Sequence, residues 1–214
     1  DAALVALMHN GEVCDMKTFQ CPKVHKSFEE RLTDLIAKIG ENMNLRRAAM
    51  LEVSNGVIAS YVHNACKPNL GKIGVLVALE SNGDKAKLQE LGKHIAMHVA
   101  ASNPQFLTIA DVDQASIDHE KAIFSEQAKA SGKPENIIEK MVEGRIKKYF
   151  DEVVLEEQAY IMDPDKKVKQ IVADAAKEMG ADIKLKAFVC FRLGEGLEKR
   201  NEDFAAEVAS QLKK

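Results

Sequence analysis

The stretch from Val53 to Ser102 constrains the fold more than any other part of the chain. Two runs within it, Val57 to His63 and Ile73 to Leu79, alternate between apolar and other side chains with a period of two. This alternation is typical of strands in a sheet whose two faces differ. The nine residues 64–72 between the runs include Pro, Asn and Gly but are too many for a tight hairpin turn. The pattern predicts two strands joined by a long loop.

A helix should follow the second strand after a turn at Ser81-Asn82-Gly83-Asp84. The apolar residues of this segment recur three and four positions apart, at Leu88, Leu91, Ile95 and Val99. That spacing gives a helix one apolar face, which can cover one face of the strand pair. The predicted fold class is therefore α+β, with a small antiparallel sheet packed by helices.

The clearest strand comes near the end of the chain, where residues 183–193 alternate strictly, and we expect it to join the sheet of the first two strands. Before it, two helical patterns, at about 111–130 and at Glu135 to Phe150, are joined by the short turn Ser131-Gly132-Lys133-Pro134. Such a short turn makes the two helices antiparallel. They form an inserted helical hairpin, whose thin apolar stripe predicts that it projects from the body as a contact device.

The other segments give shorter signals. Ser27 and Glu30 form a capping box at the start of a helix that Gly40 should end. We further expect a helix at 2–8, a loop at 12–26, either helix or strand at 43–53, a helix at about 166–178, and a last helix that Asn201 caps and that carries Phe204, Val208 and Leu212 on one face.

These elements suggest four units. The expected divisions are the remainder of a first subdomain at 1–53, a second subdomain at 54–112 and 157–196, the inserted coiled-coil hairpin at 113–156, and a C-terminal helical module at 197–214.

Composition excludes several classes of protein. The 214 residues are 46% hydrophobic and 29% charged, which is ordinary for a globular chain that can bury a core. A net charge of −3 argues against a general nucleic-acid binder, and no apolar run is long enough to cross a bilayer. Four scattered cysteines and no signal peptide favour the reducing cytoplasm.

Two histidine groups suggest metal binding, though neither has a matching motif. His94 and His98 are four positions apart on one helix, but Ile95 stands where the hydrolytic zinc motif needs a glutamate base. His98 borders the apolar stripe, so a packed core histidine is the favoured interpretation. His9, Cys14, Cys21 and His25 fall within one predicted loop, and their spacing fits no compact zinc knuckle.

No other catalytic pattern is present in the sequence. Gly194-Glu195-Gly196 follows a strand but lacks the remaining residues of a phosphate-binding loop, and there is no nucleophile elbow. The residues therefore predict a binding protein with no cofactor and no metal, and not an enzyme.

Several phrases of the sequence resemble those of bacterial elongation factor Ts, and they occur in that family's order. They are KIGENMNLRR at 38–47, KIGVLV at 72–77, HIAMHVAA at 94–101, SGKP at 131–134, EKMVEGR at 139–145 and GEGLEK at 194–199. The resemblance covers the chain from about Ser27 to its end.

The resemblance implies a guanine-nucleotide exchange factor that promotes GDP release from elongation factor Tu during translation elongation. It implies that Ile39, His63 and Ile161 contact the nucleotide-binding domain of Tu, because they fall on matching positions of the family's motifs. His63 ends a Ser-Tyr-x-His strand, which otherwise would be taken as solvent-facing. The family's coiled-coil insertion and C-terminal helical module match the predicted hairpin and last helix.

The sequence departs from the family's pattern at its start, because the family's N-terminal domain and Thr-Asp-Phe motif would lie upstream of Asp1. Thr33-Asp34-Leu35 is not that motif, because it falls inside the capped helix. We therefore expect a truncated chain whose full-length parent is an exchange factor. Two alternatives stay open: a metal-dependent hydrolase using His94 and His98, and a non-catalytic adaptor that forms a homodimer through the helical hairpin.

Overall fold

The computed structural model describes residues 2–8, 10–21, 25–129 and 134–197. It confirms the α+β fold class, with small antiparallel sheets packed by helices. The helices are α1 Ala2–Met8, α2 Val13–Thr18, α3 Phe28–Ile39, α4 Lys85–Ser102, α5 Gln114–Lys129, α6 Glu135–Val153 and α7 Val168–Met179, and the strands are β1 Gln20–Cys21, β2 Lys26–Ser27, β3 Gly56–His63, β4 Ile73–Ser81, β5 Ala159–Tyr160, β6 Asp163–Lys167 and β7 Ile183–Arg192.

The three predicted strands form one antiparallel sheet in the order β3-β4-β7. In β3 and β4 the register pairs Gly56 with Glu80 and His63 with Ile73, so the two strands match over their whole predicted length. The same Ile73 pairs with Arg192 of β7. The prediction that the last strand joins the sheet of the first two is confirmed.

Helix α4 covers one face of this sheet, as its apolar spacing predicts. Val77, Leu79, Ile95 and Val99 are fully buried in one core together with residues of α7 and β7. The helix crosses β3 very closely at Gly92, where a Cβ atom would lie 2.6 Å from the Cβ of Ala59. Only a residue without a side chain fits at that crossing.

Helices α5 and α6 pack against each other as an antiparallel hairpin, because early residues of one meet late residues of the other. Ile117 of α5 packs with Tyr149 and Phe150 of α6 in a small cluster around Val112 and Val154 at the base. The hairpin lies in sequence between β4 and β7, which are paired neighbours in the sheet. The predicted helical hairpin is confirmed, and α6 continues three residues beyond Phe150.

The N-terminal segment agrees only in part with the prediction. Helix α3 has the predicted capping box between Ser27 and Glu30, and Gly40 ends it in the left-handed conformation at φ 81°. The loop prediction for 12–26 is wrong, because α2 and the two-residue strands β1 and β2 form there. A six-residue helix and two-residue strands are too short to create a recognisable period. The ambiguous 43–53 segment has no regular secondary structure.

Two further predictions concern the start of α7 and the last helix. The helix expected from about 166 begins at Val168, because residues 163–167 pair with β5 as strand β6. The predicted last helix, with Asn201, Phe204, Val208 and Leu212, and the turn residues 131–133 lie outside the described residues. Within the described part of the chain, no helix has the length and apolar character needed to span a membrane.

Candidate protein-binding surface

One end of the central layer gathers the end of β3, the start of β4, the end of β7 and the last turn of α4. His63 pairs with Ile73, and Ile73 pairs with Arg192. The guanidinium of Arg192 in turn donates to the Ala100 carbonyl at 2.7 Å and to Oδ1 of Asn103 at 2.9 Å. We call this the His63 end of the layer.

His63 is exposed at this end, as expected for the last residue of an outer strand. Its Nδ1 atom lies 3.1 Å from the hydroxyl oxygen of Tyr61, two residues earlier on the same strand face. The two rings are tilted by 42° with centroids 6.2 Å apart. Because Tyr61 packs against the core, this contact restricts the orientation of the imidazole.

Ile161 lies in the turn between β5 and β6. Its side chain is 41% exposed, and that of Met162 beside it is 48% exposed. The Ile161 backbone N–H donates to Nδ1 of His98 at 3.3 Å, which joins the turn to the last turns of α4. The structure therefore attaches Ile161 to α4, the helix whose last turn meets Arg192 at the His63 end.

Ile39 lies on a separate element. It is the last residue of α3, and its side chain is 53% exposed. Helix α3 packs mainly against α2 and β2, and it reaches the layer through residues 41–53. That segment is fixed to the His63 end by Arg46, which donates to the Glu195 carbonyl, and by Arg47, which forms an ion pair with the Glu195 carboxylate.

The attachment of Arg47 combines charge and stacking. Its guanidinium carbon lies 4.9 Å from the centroid of the Phe191 ring, over the face of β7. The hydrogen bond from Arg47 holds the pKa of the Glu195 carboxyl below its usual range. Glu195 is consequently ionised at neutral pH, and the ion pair is present under physiological conditions.

Sequence reasoning missed three exposed apolar residues. They are Met162, Leu70 in the loop before β4, and Leu193, which follows β7 and is 81% exposed. The Leu193 N–H donates to the Lys72 carbonyl at 2.8 Å, which places it beside the 64–72 loop. Alternation assigned Leu193 to the strand, but the strand ends at Arg192, and exposure beyond a strand end leaves no periodic signal.

The histidines do not form a metal site with each other. His98 is fully buried, and its two ring nitrogens are occupied by Gln158, at 2.9 Å, and by the Ile161 N–H. Burial lowers the pKa of His98, so the ring is neutral at pH 7. The interpretation of His98 as a packed core histidine is confirmed, and the hydrolase alternative loses one of its two ligands.

The second histidine group is only partly described. Cys14 and His25 are exposed, whereas His9 and the side chain of Cys21 lie outside the described residues. Among the residues that the structure describes, no three His, Cys, Asp or Glu side chains are grouped so that they could hold a metal ion.

The fold defines a class of protein: an α+β protein with an inserted antiparallel helical hairpin. The family model described as Elongation factor TS matches residues 2–195. The chain therefore belongs to the elongation factor Ts family, whose members act in translation elongation as guanine-nucleotide exchange factors for elongation factor Tu.

Individual relatives agree with this assignment. The chain is 54% identical to elongation factor Ts of Rhodospirillum rubrum over 213 residues. This aligned region covers 99% of the chain and 69% of the relative. The chain is 53% identical over 206 residues to that of Rhodospirillum centenum, covering 96% and 67%, and 58% identical over 185 residues to that of Caulobacter vibrioides, covering 86% and 59%. The chain thus spans about two thirds of the length of the first two relatives.

Proposed function

We propose that this chain promotes GDP release from elongation factor Tu by binding alone, with His63, Ile161 and Ile39 as contacts to the nucleotide-binding domain of Tu. The observation that carries the proposal is the exposed pair Ile161 and Met162, in a turn that a hydrogen bond from the Ile161 N–H holds to the buried His98 of α4. Exposed apolar side chains on a rigid support are typical of protein-binding surfaces.

The mechanism needs no bond chemistry in this chain. The chain binds the form of Tu that holds GDP and magnesium poorly. The free energy with which Tu binds the chain therefore offsets the free energy with which Tu binds the nucleotide. Linkage makes the effect reciprocal: if the chain weakens GDP binding, GDP weakens binding of the chain by the same factor. GTP then displaces the chain from nucleotide-free Tu. On this account the protein is a translation factor and not an enzyme.

The three contacts would have different roles. Ile161 and Ile39 supply apolar surface, which stabilises a complex most when it is fully buried at the centre of the interface. His63 is exposed, and its imidazole can exchange a hydrogen bond with the partner. Ile39 approaches from α3, so the proposed surface extends from the layer onto the N-terminal segment.

We also propose the division into a first subdomain at 1–53, a second at 54–112 and 157–196, the hairpin at 113–156 and a C-terminal module at 197–214. The pairing of β4 with β7 across the intervening hairpin supports the middle two units. In this division the hairpin is an arm that gives the chain a second contact with Tu, away from the nucleotide.

The remaining parts of the proposal concern location and assembly. The protein is expected to act in the cytoplasm, where translation takes place, without binding nucleic acid directly, since its net charge is −3. A homodimer through the helical hairpin is the alternative assembly; Ile137 of α6 is 43% exposed and could contribute to it. Analytical ultracentrifugation of the chain alone tests for the dimer, and a concentration-independent monomer mass rejects it.

Calorimetric titration tests the proposed binding directly. The chain should bind nucleotide-free Tu and bind GDP-loaded Tu much more weakly, because the two ligands are linked. Ile161→Ala should reduce the affinity roughly tenfold, as for a central apolar contact worth more than 1 kcal/mol. Ile109→Ala is the matched control: Ile109 is 43% exposed but is not on the proposed surface. Equal affinity for the two forms of Tu would reject the proposal.

A further inference from the structure

The buried histidine of α4 is connected to the proposed contact surface. His98 is fully buried, and Gln158 beside it is 4% exposed. The Ile161 N–H lies 3.3 Å from Nδ1 of His98, and Oε1 of Gln158 lies 2.9 Å from Nε2. These polar contacts are not needed to explain how α4 packs on the sheet, and the family assignment does not depend on them.

The directions of these hydrogen bonds fix the state of the ring. A backbone N–H can only donate, so Nδ1 of His98 must accept from Ile161 and cannot carry a proton. The neutral ring then has its proton on Nε2, which donates to Oε1 of Gln158. The amide nitrogen of Gln158 in turn donates to the Glu152 carbonyl at 2.6 Å, which fixes the orientation of that amide.

The result is one directed chain of hydrogen bonds in the interior. It begins at the backbone of Ile161, passes through the side chains of His98 and Gln158, and ends at the backbone of Glu152 near the last turn of α6. Each donor in it meets an acceptor, so the buried polar groups are satisfied and the arrangement is rigid. Tyr160 packs against the imidazole with ring centroids 5.8 Å apart.

We propose that His98 is a positioning residue for the exchange reaction: its Nδ1 accepts from the Ile161 N–H and so holds the turn that presents Ile161 and Met162. The inference rests on the proposed function, because it requires Ile161 to contact Tu. A turn that is already ordered loses less conformational freedom on binding, so the affinity is higher than for a mobile turn.

The protonation state of the ring supports this role. Burial lowers the pKa of His98, and so the ring keeps an acceptor nitrogen for Ile161 throughout the neutral range. The neighbouring Tyr160 has its pKa raised by burial and is likewise uncharged. A protonated imidazole would direct an N–H at the N–H of Ile161 and would break the connection.

Two substitutions separate the ends of the connection. In His98→Asn, the amide oxygen can occupy the place of Nδ1 and accept from Ile161, while the bond to Gln158 is lost. In His98→Gln, the longer side chain can reach Gln158 as Nε2 does, but the Ile161 N–H loses its acceptor. Each variant is about equally polar and removes one hydrogen bond, so each is the control for the other.

The experiment measures Tu affinity by calorimetry and amide hydrogen exchange of Ile161 by NMR. We expect His98→Asn to bind nucleotide-free Tu within threefold of the parent and to keep the Ile161 amide protected. His98→Gln should bind at least tenfold more weakly, with the Ile161 amide exchanging at least tenfold faster. Affinities are corrected for the folded fraction found in urea unfolding of each variant.

Other results would overturn the proposal. If the two variants lose the same affinity after this correction, His98 is only a structural residue. If His98→Gln exposes the Ile161 amide and still binds Tu as the parent does, the turn needs no positioning. Should the Gln variant fail to fold, ¹⁵N chemical shifts of His98 in the parent protein decide whether the proton is on Nε2, and a proton on Nδ1 rejects the connection. If the parent protein does not bind Tu, the proposed function is rejected instead. Hydrogen exchange of the Ile161 amide in the variants then still tests the hydrogen bond to His98.

Discussion

At the scale of single residues, two glycines in helices have opposite surroundings. Gly92 of α4 is buried against β3, where a Cβ would lie 2.6 Å from that of Ala59. Gly144 of α6 is exposed, and a Cβ there would have nothing within 4 Å. The first glycine is required by packing, and the second only weakens its helix.

Gly92→Ala should therefore destabilise the protein by about 1–3 kcal/mol, since the helix must move away from the sheet to admit the methyl group. Gly144→Ala has the same change in helix propensity without the clash, and it should stabilise the protein by up to about 1 kcal/mol. Urea unfolding followed by circular dichroism measures both. The packing argument is wrong if the two substitutions shift the free energy of unfolding in the same direction.

His98 also makes stability depend on pH. Its pKa is lowered in the folded state, mainly by burial, so the unfolded chain binds a proton more readily near pH 6 than the folded protein does. The free energy of unfolding should then decrease as the pH falls below about 6.5, the usual pKa of an unfolded histidine. Above that value the ring is neutral in both states and contributes no slope.

Urea unfolding at pH 8 and pH 5.5 tests this expectation. The loss of stability between these values should be smaller in His98→Asn than in the parent, because that part of the proton linkage is removed. His119→Asn, an exposed position on α5, is the control and should keep the slope of the parent. An unchanged slope in His98→Asn would contradict the assignment of a neutral, buried ring.

At the scale of elements, the helical hairpin depends on its own contacts. Helix α5 packs chiefly against α6, and the pair meets the body at the small cluster around Val112, Val153 and Val154. Lys167 reinforces this base through ion pairs with Asp151 and Glu157, each shorter than 3 Å. The hairpin is therefore an arm on a layer whose core lies elsewhere.

Replacing residues 114–150 with a short Gly-Ser linker should leave the layer folded. The sheet, α4 and α7 keep their core, whereas any contact of the arm with Tu is lost. We expect the far-ultraviolet signal of the remaining elements and cooperative unfolding to persist, and Tu affinity to fall at least several-fold. Loss of cooperative unfolding would mean that the hairpin belongs to the core after all.

Elements with a long period could be predicted from the sequence, and long-range contacts could not. Strict alternation over 183–193 predicted β7 and its sheet, and Ser27 with Glu30 predicted the start of α3. The proposed contact residues could be named only from the family resemblance, because the exposure of Ile161 depends on a turn that no pattern marks. The hydrogen bond between His98 and Gln158 joins residues 60 positions apart, and only the folded chain shows it.

At the scale of the whole molecule, the N-terminal segment and the arm are both attached to the layer. His63 lies at one end of the layer, and Arg46 and Arg47 attach the segment that follows Ile39 to that end. The base of the arm is connected to Ile161 through Gln158 and His98. Several parts of the chain must therefore bind one partner together and change how that partner holds its nucleotide.

Stopped-flow release of fluorescent GDP from elongation factor Tu measures that effect most directly. With excess unlabelled GDP present, adding the chain should increase the rate of release in proportion to its concentration before saturation, and Ile161→Ala should require a higher concentration for the same rate. Release at the unassisted rate, at concentrations where calorimetry shows the complex, would contradict the account.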